Sequence, residues 1–431
     1  MTYLRAGILI DGTKCDVQRN VDIEIRDGRI HNISSSGDGK PASASEGLID
    51  CSDGVVMPGF IDLHVHLRNP LPTDCSREES YAFRIETDPV LAVFYAARSA
   101  RACLAAGFTT VRNMGGPEHV ALRDAIEKGL IPGPRVLTSG MVLMTGGHTD
   151  RTLPSGVPRT GRWLAWARAD GVDGVRRRVR ELVYAGVDFI KFDASGGLHF
   201  PGIRMYSEEE VEAIVQEAHS LGVRVAAHAH GKEGILRAVR AGVDTLEHGT
   251  FMDEECIDEM LCRGTTYVPT LAIMHDNIVR GASWGLTANR INEYRRLYDL
   301  RLQAVGDAYR AGVPVALGTD SSGWLAPHGL NGVEFRLLGD AGIPEIDCLR
   351  AGTEIAARAI GLGETLGSLE IGKTADLVVL NGNPLDRLAI LEGTANRQLI
   401  MLKGEVIAHR KESRPGTELV WQEQYDAESL M

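Results

Sequence analysis

Imidazole, amine and carboxylate side chains follow several short apolar segments of this sequence, and their placement suggests a shared metal site. The residues concerned are His64, His66, Lys191, His228, His248 and Asp320. His64 and His66 flank a single valine, so on a strand both imidazoles point to the same side. Imidazole nitrogens and carboxylate oxygens are ordinary ligands of zinc. Two histidines at this spacing are also common in plain loops, so the prediction depends on the other residues recurring at equivalent places.

Lys191 and Asp320 each have an ordinary and a chemical interpretation. Lys191 closes the apolar segment 189–191 and could extend its amine to the surface or pair with an acid. It could bridge two cations only if its neutral amine reacted with carbon dioxide to form a carbamate, and burial favours the neutral amine. Asp320 could cap the following helix. Beside a metal it would instead be both a ligand and the general base for a water proton.

An alternation of helices and strands in the middle of the chain would position these residues. Six segments each contain a helix end with glycine and a short apolar strand with a polar end: residues 105–113, 184–193, 220–230, 240–249, 263–270 and 310–320. Glycine at this place is typical of helix-to-strand connections. With segments 55–67 and 135–141, the pattern predicts about eight parallel strands, the number that closes a (β/α)8 TIM-like barrel. The polar strand ends would then meet on the catalytic face.

Both ends of the chain predict a second, smaller domain. Residues 3–57 alternate β-rich segments with Asp-Gly turns, and residues 375–408 return to this style with Asn-Gly and Lys-Gly turns. We therefore predict an α/β protein with a barrel over residues 58–365. A small β-sandwich domain would form from residues 1–57 and 366–431, with a loose polar tail over residues 411–431.

Composition excludes several classes of protein. The chain has 431 residues, 44% of them hydrophobic, and a formal net charge of −12, as expected for a soluble globular protein. An acidic chain is a poor candidate for a nucleic-acid binder, and no stretch is apolar enough to span a membrane. The sequence start has no secretion signal, and seven scattered cysteines indicate reduced thiols, so we expect a cytoplasmic protein.

Taken together, these motifs resemble the amidohydrolase superfamily over residues 1–410. The resemblance rests on PGFIDLHVH at 58–66, the lysine, histidines and GTD at the strand ends described above, and GSLEIGKTADL at 367–377. The sequence is most similar to the imidazolonepropionase-like branch, which holds Xaa-Pro dipeptidase-type enzymes. That similarity comes from TTVR at 109–112, MTGGH at 144–148, ASGG at 194–197, AAHAHG at 226–231 and LEHG at 246–249.

The resemblance implies a binuclear metal hydrolase that usually contains zinc. His64, His66 and Asp320 would hold the more buried metal, and His228 and His248 would hold the other. A carbamate on Lys191 and a hydroxide would bridge the two metals. Such a pair of metals can lower the pKa of a shared water and polarise a carbonyl. Asp320 would then pass the proton to the leaving amine.

Substrate contacts are also implied by the resemblance. His148 and His230 would face the substrate and recognise a carboxylate, and Arg112 at a strand end is a further candidate for anion binding. The sequence departs from the branch at Asn113, where aspartate is common, and at Phe192-Asp193, where an apolar pair is usual. The loop 151–170, which contains Trp163 and Trp166, matches nothing in the branch, and a second long loop, 74–88, would lie over the mouth of the barrel. Such loops decide which substrate fits.

The leading hypothesis is a hydrolase that cleaves a C–N amide bond in dipeptides or N-acyl amino acids with a free carboxylate. An alternative is hydrolysis of carbamate, urea, lactone or aromatic amide compounds, since Trp163 and Trp166 would suit a flat group. A deaminase is less favoured, because deaminases of this superfamily tend to lack the bridging lysine. A non-enzymatic barrel should have lost metal ligands, whereas all are present. We expect a small-molecule substrate and, as in relatives of this branch, a homo-oligomer.

Overall fold

The computed structural model describes residues 1–13, 17–36, 47–73, 87–148, 168–410 and 419–421, together with Glu79 and Phe83. The predicted loops 74–88 and 151–170 and the predicted tail 411–431 lie largely outside these residues, and so do Trp163 and Trp166. Among the described residues, no helix is both long enough and apolar enough to cross a membrane.

The two ends of the chain share one eight-stranded sheet. Its strands are β1 (Thr2–Leu9), β2 (Gln18–Arg26), β3 (Arg29–Ser35), β4 (Leu48–Pro58), β12 (Leu377–Leu380), β13 (Arg397–Leu402), β14 (Glu405–Arg410) and β15 (Leu419–Trp421). The sheet order is β15-β14-β13-β12-β4-β1-β2-β3, and β1 and β4 are the parallel pair in it. The joining of β4 to β12 confirms a small β-domain built from both ends. Its exact boundaries stay a prediction.

The middle of the chain forms a seven-stranded parallel sheet that curves into a nearly closed barrel, as predicted. In sheet order its strands are β5 (Phe60–Val65), β6 (Phe108–Asn113), β7 (Arg135–Val142), β8 (Phe189–Asp193), β9 (Arg224–Ala229), β10 (Thr245–His248) and β11 (Thr266–Val268). Every residue of β5, β6, β8, β10 and β11 is buried. Burial on both faces is expected where helices cover the outside and side chains fill the inside.

Residues 313–321 close the barrel between β11 and β5 as an irregular segment in place of a regular eighth strand. The amide of Ala316 donates to the carbonyl of Tyr267 at 2.8 Å on one side. On the other side, the amide of Asp320 donates to the carbonyl of His64 at 2.8 Å. These hydrogen bonds place Asp320 directly beside the histidines of β5.

Helices connect the strands and surround the barrel. They are α1 (Pro89–Ala105), α2 (His119–Glu127), α3 (Val172–Tyr184), α4 (Glu208–Ser220), α5 (Lys232–Ala241), α6 (Glu254–Arg263), α7 (Leu271–Arg280), α8 (Ala288–Ala311), α9 (Val333–Asp340), α10 (Glu345–Ala351) and α11 (Glu354–Ala359). Gly242 and Gly312 end α5 and α8 with φ of 93° and 98°. Glycine adopts this left-handed conformation without a side-chain clash, which explains the repeated pattern in the sequence.

Arg397 of β13 joins the small domain to the barrel. Its guanidinium is fully buried, donates to the carbonyls of Ala106 at 2.8 Å and Leu391 at 2.6 Å, and lies 5.2 Å from the ring centroid of Phe60. Burial lowers the pKa of Arg397 to about 9, so this contact carries a desolvation cost that its hydrogen bonds offset.

Arg397→Ala is expected to lower the free energy of unfolding by about 3–5 kcal/mol, because two buried carbonyls lose their donor and a cavity opens. Chemical denaturation measures the change. Arg387→Ala, at an exposed arginine of the same domain, should change stability by less than about 0.5 kcal/mol. Equal changes of the free energy of unfolding in the two variants would contradict the role of Arg397 in joining the small domain to the barrel.

Candidate metal centre

The six predicted metal ligands all lie at the C-terminal end of the barrel and line one cavity of about 570 Å³. They are His64, His66, Lys191, His228, His248 and Asp320. Residues more than 250 positions apart in the sequence therefore converge because parallel strands end on one face. The structure brings the predicted substrate contacts His148 and His230 into the same cavity.

His64, His66 and Asp320 form the first group of potential metal ligands. The Oδ1 atom of Asp320 lies 3.1 Å from Nε2 of His66 and 3.6 Å from Nε2 of His64. Burial alone would raise the pKa of Asp320, but a hydrogen bond from His66 lowers it below the ordinary value. The carboxylate is therefore ionised and available both to a cation and as a proton acceptor.

His228, His230 and His248 form a second group. The ring centroid of His248 lies 4.6 Å from that of His228 and 4.8 Å from that of His230. Burial lowers the pKa of all three well below the ordinary value, so the imidazoles are neutral, the form that binds metal. Nε2 of His228 is buried and has no hydrogen-bond partner among the described residues. An unpartnered buried nitrogen amid imidazoles and a carboxylate fits a divalent cation such as zinc.

A buried ion pair sets the tautomer of His64. Nδ1 of His64 donates to Oε2 of Glu247 at 2.7 Å, which leaves Nε2 with its lone pair toward the cavity. Oε1 of Glu247 accepts from Nη2 of Arg112 at 2.7 Å and from the hydroxyl of Thr245 at 2.6 Å. Burial would raise the pKa of Glu247, but the charge of Arg112 and the bond to His64 lower it. Such partners fix ligand orientation at metal sites.

His248 and His230 are held by hydrogen bonds of opposite sense. Nδ1 of His248 lies 2.8 Å from Oγ1 of Thr270, which can accept its proton and leave Nε2 free for a metal. Nδ1 of His230 instead faces Nη2 of Arg301 at 3.3 Å and the hydroxyl of Thr250 at 2.9 Å. Arg301 can only donate, so the proton of neutral His230 is on Nε2. This geometry favours His230 as a hydrogen-bond donor to a ligand.

Strained backbone completes the positioning of the ligands. His248, Thr270 and Asp320 have φ of 73°, 53° and 58°, a left-handed conformation that non-glycine residues rarely adopt. Each such residue costs about 1–3 kcal/mol. At His248 this conformation interrupts the alternation of side chains along β10. The His248 ring therefore lines the cavity although the adjacent Glu247 also points inward, to His64.

Lys191 of β8 lies in the cavity wall, with its side chain 5% exposed. Its Nζ lies 3.2 Å from Oδ1 of Asp193 and 3.5 Å from the carbonyl of Phe192. Burial would raise the pKa of Asp193, but the charge of Lys191 and its hydrogen bond lower the pKa below the ordinary value. A carbamate on Lys191 stays a proposal.

Arg112 has a different environment from the one expected for an anion-binding residue. It is buried, and its guanidinium donates to the carbonyl of Leu63, to Thr245 and to Glu247 at 2.6–2.9 Å. It is not among the described residues that line the cavity. This geometry favours a positioning residue, because its donors are directed to the protein and away from a substrate.

Several positioning residues were not predicted from the sequence. Glu247 stands within the motif LEHG, so its place beside His248 is a signal that could have been used. Thr250 and Thr270 follow strand ends, but threonine there is common. Arg301 lies in the middle of α8 without any motif, and only the fold brings it to the barrel.

The outer wall of the cavity is apolar and aromatic. It comes mainly from α7, the 3-10 turn Gly281–Trp284 and the first half of α8, together with Trp324 and Leu325. Trp284 and Tyr294 line it, and Arg290 provides a cation at its rim. The cavity therefore combines a polar floor, able to hold metal ions, with space for an apolar or aromatic group.

Comparison with known proteins identifies the family. The amidohydrolase family model matches residues 55–407, so the chain belongs to the amidohydrolase family and the resemblance seen in the sequence is confirmed. Ochratoxinase of Aspergillus niger is 33% identical over 414 residues, which cover 91% of this chain and 83% of that protein. These relationships support a hydrolase of C–N amide bonds.

Two solved structures are similar over almost their whole length. A Xaa-Pro dipeptidase with methionine bound in the active site has a TM-score of 0.80 and 32% identity, covering 94% of this chain and 99% of that one. A prolidase complexed with N-methylphosphonate-L-proline has a TM-score of 0.84 and 31% identity, covering 95% and 100%. The barrel with a small β-domain is thus the fold of these enzymes as well.

Glu247→Gln should weaken metal binding about 10–100-fold, because a neutral amide supports the His64 tautomer less well. Competition with a chromophoric chelator measures the affinity. Glu233→Gln, at an exposed glutamate of α5, should leave the affinity unchanged. Unaltered affinity in Glu247→Gln would show that His64 needs no such partner.

Proposed function

We propose that this protein is a binuclear metal-dependent hydrolase that cleaves the amide bond of dipeptides or N-acyl amino acids bearing a free carboxylate. The observation that carries this proposal is the convergence of four histidines, Lys191 and Asp320 on one cavity at the strand ends. The similarity of the chain to a Xaa-Pro dipeptidase, a prolidase and an ochratoxinase supports it.

The residues of the site have separate tasks in this proposal. His64, His66 and Asp320 would hold one cation, His228 and His248 the other, and a carbamate on Lys191 would bridge them. When bound, the cations would polarise the scissile carbonyl and make a water molecule nucleophilic at neutral pH. Asp320, ionised and with Oδ1 3.1 Å from Nε2 of His66, would accept a proton from the attacking water and return it to the leaving amine.

Recognition of the carboxylate falls to the polar residues beside the ligands. Arg301 donates to Nδ1 of His230, so the proton of this neutral imidazole is on Nε2. His230 can therefore donate a hydrogen bond to an anionic group. The ring of His148 stacks on His228 at 4.6 Å between centroids, which brings it to the same side of the cavity. The apolar outer wall would accept the side chain of the substrate.

We propose zinc as the metal, because imidazole and carboxylate donors suit it. We also propose a cytoplasmic homo-oligomer acting on small molecules, which the reduced thiols and the likeness to this branch support.

Aromatic amides and carbamates form a second candidate substrate class. Trp284, Tyr294 and Trp324 in the cavity wall favour a flat group there, as Trp163 and Trp166 did from the sequence. Indifference of the enzyme to a substrate carboxylate would favour this class.

Removal of metal should lower the rate of dipeptide hydrolysis by at least about 100-fold, because the attacking water is then no longer activated. Dialysis against a chelator followed by addition of zinc, with metal content measured alongside, tests this. His228→Ala should not regain activity on adding zinc, whereas His219→Ala, at an exposed histidine of α4, should regain it fully. Full activity in metal-free protein would overturn the proposal.

A dipeptide with a free C-terminus should be hydrolysed roughly 10–100-fold more efficiently than its C-terminal amide, because a charged hydrogen bond contributes about 1.5–3 kcal/mol. Values of kcat/KM for alanyl-phenylalanine and alanyl-phenylalanine amide give the ratio. His230→Gln should bring the ratio of the two kcat/KM values closer to one. His275→Gln, which replaces a histidine outside the cavity lining, should leave the ratio unchanged. A ratio near one in the wild type would point to the second substrate class.

A further inference from the structure

Asp193 places a second carboxylate in the cavity, beside that of Asp320. It stands two residues after Lys191 on β8, so the two side chains point to the same side of the strand. Its side chain is 9% exposed, and it lines the same cavity as the ligands. It is also where the sequence departs from the apolar residue usual in this branch.

The only hydrogen-bond partner of Asp193 among the described residues is Lys191, at 3.2 Å between Nζ and Oδ1. His228 lies opposite Asp193 in the ladder of β8 and β9, and His148 stacks on that histidine. Within the described part of the chain, neither imidazole forms a hydrogen bond or ion pair with Asp193. The charge of this carboxylate is thus balanced locally by one amine.

Formation of the proposed carbamate would remove that balance. The amine of Lys191 would become part of an anion whose charge the proposed metal ions offset, and Asp193 would lose the charged N–H donor that it has among the described residues. A buried carboxylate without such a donor is costly, and the cost is relieved when a donor enters. A ligand with an ammonium group next to Lys191 would supply that donor.

We propose that Asp193 binds the α-ammonium group of the substrate and so selects dipeptides with a free N-terminus over N-acyl amino acids. The inference rests on the proposed amide hydrolysis and narrows its substrate class. In a dipeptide, one carbon atom separates the α-nitrogen from the scissile carbonyl. A carbonyl placed between the ligands beside Lys191 would therefore bring the ammonium toward Asp193, where an ion-paired hydrogen bond can form.

Alanyl-phenylalanine and propionyl-phenylalanine provide a matched test, since they differ only in the ammonium group. The wild type should show a kcat/KM at least about 10-fold higher for the alanyl compound, in keeping with a charge-assisted hydrogen bond. Asp193→Asn should remove most of this preference by lowering the alanyl value while leaving the propionyl value within about 3-fold. Asp193→Glu should retain part of the preference.

Two further measurements separate recognition from other roles of Asp193. Metal content of Asp193→Asn should equal that of the wild type, and loss of metal would overturn the inference by making Asp193 a ligand. Calorimetric Kd values for phosphonate analogues of the two substrates should show the same selectivity and the same loss of it. Both ratios come from one protein sample, so partial unfolding of a variant does not alter them.

The remaining outcomes distinguish this inference from the proposed function. Hydrolysis of both compounds at equal rates by the wild type would overturn the role of Asp193 and leave amide hydrolysis standing. An equal loss on both substrates in Asp193→Asn would assign Asp193 to the support of Lys191 and would also overturn selection. Hydrolysis of neither compound by metal-loaded wild type would overturn the proposed function and this inference together.

Discussion

A single buried carboxylate, Glu247, determines how the interior of the barrel supports the site. It extends from β10 to Arg112 of β6 and to His64 of β5, so it connects strands that are not neighbours in the sheet. Removing one partner from such a buried pair costs about 3–5 kcal/mol, because the other charge stays without compensation. The network therefore keeps His64 and the barrel wall in one arrangement.

The remainder of the site has a stability cost that the barrel must offset. Two features lower the stability of the fold here. Three residues have left-handed backbone, His248, Thr270 and Asp320, and several histidines are buried in the neutral form. Arg301 supports this region from α8 by donating to Thr250 and to the carbonyl of Thr270. Stability given up at one face of the fold in this way is typical of sites that are organised in advance of binding.

Much of the fold, and the convergence of the predicted ligands on one cavity, could be predicted because both depend on local rules. The spacing of His64 and His66 follows from strand alternation, and glycines such as Gly242 mark helix ends. Contacts between distant segments had no such signal. Arg301 reaches the site only through the packing of a long helix. Arg112 lies near the end of β6, and its guanidinium contacts Glu247, a partner that the residues next to Arg112 in the sequence do not reveal.

The proposed function requires that the clustered residues hold two metal ions bridged by a modified lysine. Anomalous diffraction from crystals grown with zinc, collected on both sides of its absorption edge, tests this directly. We expect two peaks, one among His64, His66 and Asp320 and one at His228 and His248, with continuous density beyond Nζ of Lys191. Crystals that show no anomalous peak in this cavity, with Lys191 still paired to Asp193, would contradict it.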